Sequence, residues 1–403
     1  MASFTPPPTP RLSDSSAGDF FVNFAPSAFF LYDGGAMTSG TKKRGALPAQ
    51  VIRRLIDARM ILNARPENVR PSSLDLSLSD EVYEVEGIFQ PRPGETIRSL
   101  LGEVKSAPYD WQEPLVRGRM YLARLNERLL LPETVYAACN PKSTSGRLDV
   151  HVRLLADGVS RYDSVTPAGW SGELWAAIVS KTFRIKLAAG LSLNQIRFFN
   201  ADTRLNELEL EIALKQYELL WRDGRPLAYG DLKIRDNDGS LILTLDLSAE
   251  TIGYRARPAT AAPLDLTKPR FYEPEQFFEP LKRAAGHLHL ARDEFYILST
   301  AEAIRVPPEL ACEMVPMDEK SGEFRSHYAG FIDPGWGWGR TGEGRGRPLT
   351  LEMRPFEDLI VRPGQPIGKI KFELMALLPD VVYDGLDSNY LTQAGPRLSK
   401  HFK

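Results

Sequence analysis

Asn140-Pro141-Lys142-Ser143-Thr144-Ser145-Gly146-Arg147 gathers two cations, three hydroxyls and a glycine into eight residues. Hydroxyls and backbone N–H groups in a tight glycine-containing turn can wrap phosphate oxygens, and a lysine and an arginine at its two ends can neutralise them. The same composition also makes an ordinary solvated turn, so the stretch by itself leaves both readings open. It is not a Walker loop, because the first glycine and the Gly-Lys-Ser/Thr order that starts a helix are missing. The apolar run Val135 to Cys139 precedes it and reads as a buried strand, and Leu148-Asp149-Val150 follows at once.

The elements that must hold this turn are short strands. The chain has 403 residues, enough for two domains with separate cores, and its 31 prolines and 31 glycines favour many turns over long helices. It is 43% hydrophobic and 25% charged, and 50 basic against 52 acidic residues leave a net charge of −2. That balance gives no general attraction to nucleic acid or to a membrane, so an anion site must be local. No apolar segment reaches membrane-spanning length, and no signal-peptide pattern opens the chain. Cys139 and Cys312 sit in apolar surroundings and read as buried core thiols suited to a reducing cytoplasm. The five histidines show no metal spacing, and His287 and His289 read as strand residues.

Residues 1–45 read as a disordered extension, with Met37 as a plausible start of the native protein. A short amphipathic helix is expected over Pro48 to Ala58, and strands recur from Pro71 to Phe199 with turn residues between them. Asp236-Asn237-Asp238-Gly239, between Leu232-Lys233-Ile234 and Leu241-Ile242-Leu243, predicts a β-hairpin. The second half then repeats the first. Arg117 to Leu122 matches Arg292 to Ile297, Glu127 matches Glu302, and Ala168 to Gly172 matches Pro334 to Trp338. Gln195-Ile196-Arg197-Phe198 matches Lys369-Ile370-Lys371-Phe372. Recurrence in order means tandem duplication of one β fold, divided here into 46–216, a connecting hairpin at 217–258, and 259–403.

The order of these pieces resembles the deoxycytidine triphosphate deaminase branch of the trimeric dUTPase superfamily, in its long duplicated bacterial form. The resemblance rests on Ser73-Leu74-Asp75-Leu76, the Lys142 to Arg147 motif, and Ile332-Asp333-Pro334-Gly335-Trp336. Leu351-Glu352, Arg362-Pro363-Gly364 and a tail with Tyr390, Gln393 and Gly395 complete it. It implies a mainly β, distorted jelly-roll or barrel that deaminates dCTP to dUTP in the cytoplasm as a homo-oligomer. Mg²⁺ would ride on the triphosphate, with a glutamate and no zinc in the chemistry. The His-x-Glu and Pro-Cys-x-x-Cys signatures of the zinc deaminases are missing from the sequence. Two alternatives stay open: a bifunctional enzyme that carries dUTP on to dUMP, and a non-catalytic nucleotide-binding protein on the same fold.

The resemblance assigns residues. Glu352, which on its own would read as a surface glutamate on an alternating strand, becomes the general acid/base. Lys142, Ser143, Thr144, Ser145 and Arg147 would hold phosphates, although Arg147 could instead lie near the base. Asp333 would bind the deoxyribose 3'-hydroxyl or orient a water, and Tyr383, Tyr390 and Gln393 would close over the nucleotide. Trp336 reads as a core or interface residue. In the first half the glutamate position falls on Ala177 (or Ile178) and the aspartate position on Pro167. In the second half, Met317 to Arg325 replaces the phosphate motif with acids. Neither half has a full site, so the expected active site is composite, built within one chain or between two.

Overall fold

The computed structural model of the chain describes residues 44–403, except 259, 261, 284–285, 327–329 and 387–389 and the side chain of Glu319. The extension expected at the N-terminus lies, up to residue 43, outside the described residues. Ala46 is already fully buried: its N–H donates to the Leu374 carbonyl at 2.8 Å, and its own carbonyl accepts from Ala376 at 2.9 Å. The helix Ala49–Asp57 follows as expected, with Ile52 and Leu55 turned into the core and Arg53 and Arg54 outside it. Residues three apart share one helix face, which is why this spacing gives a one-sided element.

The first copy stacks two antiparallel sheets. In one, Ser106–Pro108, Leu78–Val85, Met120–Leu130, Ser171–Ser180 and Val150–Ala156 lie side by side in that order. In the other the order is Leu74–Leu76, Asn194–Phe199, Tyr136–Pro141 and Ser164–Val165. Met120–Leu130 shows the period-2 logic: Ala123, Leu125, Glu127 and Leu129 point inward between outward Arg124, Asn126 and Arg128. A carboxylate at an inward position must be satisfied. Glu127 is, by the Ser77 N–H at 2.9 Å and the Ser77 hydroxyl at 2.8 Å.

The second copy repeats the order. Ser240–Thr244, Pro366–Leu374, Leu310–Val315 and Phe331–Ile332 form its smaller sheet, and Tyr296–Ile304 lies between Thr251–Ala256 and Arg347–Pro355 in its larger one. The repeat extends to single hydrogen bonds. Glu302 accepts from the Thr244 N–H (2.7 Å) and hydroxyl (2.8 Å), as Glu127 does from Ser77. The Tyr121 hydroxyl accepts from the Val116 N–H at 3.0 Å, and the Tyr296 hydroxyl from the Ala291 N–H at 2.9 Å. Register fixes the equivalences. Leu122 faces Ala177 and Ile297 faces Glu352, so Ala177, not Ile178, occupies the glutamate position of the first copy. Ala137 faces Val165 and Cys312 faces Ile332, so Thr166, and not Pro167 as expected, occupies the first copy's equivalent of the Asp333 position. An extra residue before Gly169 shifted the sequence match by one.

Two expectations are corrected by how strands find partners. Residues 217–258 are not a separate connector: Leu220–Arg222, Ser240–Thr244 and Thr251–Ala256 are strands of the second copy, and Leu220, Leu241, Leu243 and Ile252 lie in its core. The Asp-Gly hairpin does not form. Ser240–Thr244 pairs instead with Pro366–Leu374, where Leu241 and Leu243 become buried, while Asp236 and Asp238 pair with Lys369 and Lys371. A long-range apolar partner outweighs a local turn signal that leaves Ile234 exposed. Cys139 and Cys312 are unpaired and buried, one in each core. No described helix is long and apolar enough to cross a membrane. The first core also takes in Phe277, Phe278, Phe295, Ile297 and Phe402 from the second half, so the copies are joined by apolar contact.

Glu127→Ala tests the inward carboxylate. It leaves the Ser77 N–H and hydroxyl without an acceptor, and each orphaned buried donor costs about 1–3 kcal/mol. Urea unfolding should show a loss of about 2–4 kcal/mol; a change below about 0.5 kcal/mol would contradict the satisfied-carboxylate account.

Candidate active site

A cavity of about 330 Å³ is lined by both copies and by the C-terminal tail. From the first copy come Lys142, Ser143, Thr144 and Arg147. The expected turn is a single helical turn, Ser143–Gly146, set at the end of Tyr136–Pro141 with Lys142 and Arg147 flanking it. Ser145 does not line the cavity. Its hydroxyl sits 2.9 Å from the Leu193 carbonyl and 2.9 Å from that of Lys142, so it pins the turn rather than facing a ligand.

From the second copy come Asp333, Trp336, Thr350 and Glu352. On Arg347–Pro355, Leu351 and Met353 enter the second core, which turns Thr350 and Glu352 to the opposite face and into the cavity. Glu352 is 2% exposed, and its Oε1 lies 4.0 Å from Nε of Arg147. The cradle and the glutamate, expected on different copies, thus meet within one chain.

The tail supplies the third wall. Arg147 stacks over the Tyr390 ring at 4.0 Å, and its Nη2 donates to Gln393 Oε1 and its Nη1 to the Arg397 carbonyl, both at 3.0 Å. Gln393 in turn donates to the Pro348 carbonyl at 2.8 Å, so one side chain ties Arg147 to the strand that carries Glu352. Tyr383 packs on Trp336 with ring centroids 4.9 Å apart, and Trp336 is both a core residue and part of the wall. Further along, Ser399 donates to the Thr144 carbonyl at 2.8 Å and contacts His401, whose other nitrogen lies 3.1 Å from the Leu266 carbonyl.

The carboxylates in the cavity sit beside cations. Asp333 accepts from the Ser72 hydroxyl at 2.7 Å and lies 3.8 Å from Arg197, which is fully buried and also binds Glu373 at 2.8 Å. Burial pushes the Asp333 carboxyl up from the usual range, against the pull of Arg197. Asp75 holds Lys142 in an ion pair and accepts from Arg70 at 2.8 Å. Burial lowers the Lys142 ammonium, and Asp75 opposes that shift. Arg70, Asp75 and Thr350 were not singled out as site residues from the sequence. A buried aspartate between two core leucines was the available signal for Asp75, since Leu74 and Leu76 must face the core and Asp75 the other side. Among the described residues, no group of three or more His, Cys, Asp or Glu is placed to hold a metal ion.

Comparisons with known proteins bear on both halves. Residues 43–202 match the family model for the 2'-deoxycytidine 5'-triphosphate deaminase N-terminal domain, and residues 220–402 match the C-terminal domain of the same family. The crystal structure of 2'-deoxycytidine 5'-triphosphate deaminase from Agrobacterium tumefaciens is similar to this chain. It is 34% identical with a TM-score of 0.74, covering 83% of this chain and 99% of that one. No curated protein matches the chain.

The tail anchor carries a pH dependence. Burial pushes the His401 imidazole down to about 4, against an ordinary value near 6.5. The unfolded chain therefore takes up a proton, as pH falls below about 6.5, that the folded chain refuses. The stability that neutral His401 contributes is full above that pH and is lost as pH falls toward 4, by roughly 3 kcal/mol. Chemical unfolding across this range should show the slope for the native chain and a flatter profile for His401→Gln. Equal slopes would contradict the assignment.

Proposed function

Because the chain belongs to the 2'-deoxycytidine 5'-triphosphate deaminase family, we propose that it hydrolytically deaminates dCTP to dUTP and ammonia, with Glu352 as the general acid/base. The observation that carries this reading is the meeting of Glu352 and Arg147, 4.0 Å apart and almost without exposure, in a cavity that also holds the Lys142 turn. A carboxyl sheltered from water beside a fixed guanidinium can take a proton from a water molecule and return it to the substrate.

Water attacks C4 of the cytosine while Glu352 accepts its proton. The C4–O bond forms, and Glu352 delivers the proton to N3. The remaining hydroxyl proton then passes to the amino group as the C4–N bond breaks, which releases ammonia and leaves a C4 carbonyl. Arg147, held by Gln393 and Tyr390, fits the base end of the nucleotide, where it would stabilise Glu352 as a carboxylate. Lys142, Ser143, Thr144 and Lys400 line the same cavity and would face the phosphates. Asp333, beside Trp336, would accept the deoxyribose 3'-hydroxyl. Its Oδ1 accepts from Ser72 and lies beside Arg197, which fixes the orientation of the carboxylate in the cavity wall.

Magnesium fits this site as part of the substrate. Asp75, Asp333 and Glu352 are each within 4.0 Å of a lysine or arginine, so a metal would be held by the phosphate oxygens instead. Bound there, it would neutralise phosphate charge. We assign no zinc to the reaction, since the sequence lacks both zinc-deaminase signatures. Every group named comes from one chain, in a cytoplasmic enzyme that we expect to be a homo-oligomer.

Glu352→Gln should keep dCTP binding but lose turnover about 10²–10⁴-fold, since the amide cannot carry the proton. Ammonia release with dCTP reads this, and near-normal turnover would remove Glu352 from the role. Separating dUTP from dUMP in the same reaction decides the product. Lys142→Ala should raise KM for dCTP by roughly 10- to 100-fold while leaving deoxycytidine little changed, because the lost contact is to phosphate. Equal effects on both substrates would place Lys142 elsewhere.

A further inference from the structure

Asp149 and Arg354 stand two residues beyond Arg147 and Glu352 respectively, and they meet each other across the same boundary. Asp149 is fully buried and adopts a left-handed backbone, φ +57°, a conformation that aspartate tolerates better than most residues. Its Oδ2 accepts from the Thr182 hydroxyl at 2.5 Å and forms an ion pair with Nη2 of Arg354, and its Oδ1 lies 3.5 Å from His151. Arg354 also reaches the Thr182 hydroxyl at 3.0 Å and donates to the Asp293 carbonyl. Burial alone would raise the Asp149 carboxyl, but the bonds from His151 and Arg354 hold it below its ordinary range, so it remains charged.

We propose that the Asp149–Arg354 pair is a clasp between the two copies that sets the approach of Arg147 to Glu352, making both of them positioning residues for the reaction. This rests on the assignment of Glu352 above. Neither residue lines the cavity, so neither touches substrate. Residues two apart on a strand share a face and lie roughly 7 Å from each other, so Arg354 extends the face that carries Glu352. On the other side, Arg147 and Asp149 bracket Leu148, which is fixed in the first core. The two ends of the composite site hang on different cores, and a shift of about 1 Å between reacting groups can cost about 10²-fold in rate. The clasp is the cross-copy ion pair that sits two residues from both functional side chains.

The test uses the full chain with Arg354→Gln, Asp149→Asn, the double variant and Thr182→Val, reading kcat, KM and calorimetric Kd for dCTP, and thermal unfolding. Each clasp single should lower kcat about 10²-fold with Kd changed less than about threefold, and the double should be no slower than the worse single. Arg354→Lys, which keeps the charge but not the reach to Thr182 and Asp293 together, should recover part of the lost kcat. Thr182→Val removes one hydroxyl from the pair and should slow turnover in the same direction in a folded protein; it decides the matter where a clasp single does not fold. Unchanged kcat in folded singles, losses that add in the double, or full activity in Thr182→Val would overturn the clasp. If Glu352→Gln is inactive while Arg354→Gln is active, only the clasp fails; if Glu352→Gln is active, the functional reading fails first.

Discussion

Arg147 and Glu352 belong to different copies of one fold, and yet they lie 4.0 Å apart with almost no exposure. That proximity constrains much of the chain. The first copy must end a strand in a helical turn that presents Lys142 and Arg147, and the second must run Arg347–Pro355 with Glu352 on the cavity side. The tail must then return from the second copy to cover Arg147 with Tyr390 and Gln393. Cross-copy polar contacts hold the arrangement: the buried pair Arg197 to Glu373 at 2.8 Å, and the half-buried bond from Asn140 to Glu313 at 3.0 Å. Breaking such a pair leaves a buried charge uncompensated, so the interface tolerates little sliding.

The same constraint explains why the duplicated chain could lose half of each site. Ala177, the register equivalent of Glu352, lies in an apolar cluster with Val85, Ile97, Leu122 and Trp175, under the helix Ile97–Leu101. A carboxylate there would enter an apolar cluster, and Arg153, its cross-strand neighbour, is already paired with Asp163 at 2.5 Å. In the second copy, matched register replaces Asp75 with Ile242 and Gln195 with Lys369, and the sequence match replaces Lys142 with Met317 and Ser143 with Asp318. The cation and hydroxyls of the cradle are gone, and an acid stands where a triphosphate would be repelled.

Much of this was legible because duplication writes each structural device twice. Glu127 and Glu302 were matched by spacing alone, and both prove to be inward carboxylates that cap a neighbouring strand. The Ser-Thr-Ser-Gly motif and Glu352 were legible as types, through the family resemblance, and the cavity contains all of the residues it assigned except Ser145. What escaped were properties of tertiary partners. The Asp-Gly hairpin lost to a strand more than a hundred residues away. Asp333 was matched one residue off, because register and not spacing decides equivalence in a sheet. Whether a serine hydroxyl faces a ligand or a carbonyl depends on the loop around Leu193, which no local pattern in residues 140–147 encodes.

One chain supplies both halves of this site. Arg147→Ala and Glu352→Gln proteins, each inactive alone, can be unfolded, mixed in equal amounts and refolded together, so that any oligomer contains both kinds of chain. Ammonia release from dCTP should then stay at the level of the separate variants, because no single chain carries Arg147 and Glu352 together. Recovery of a substantial fraction of native activity in the mixture would show that the two residues meet between chains and would contradict the account.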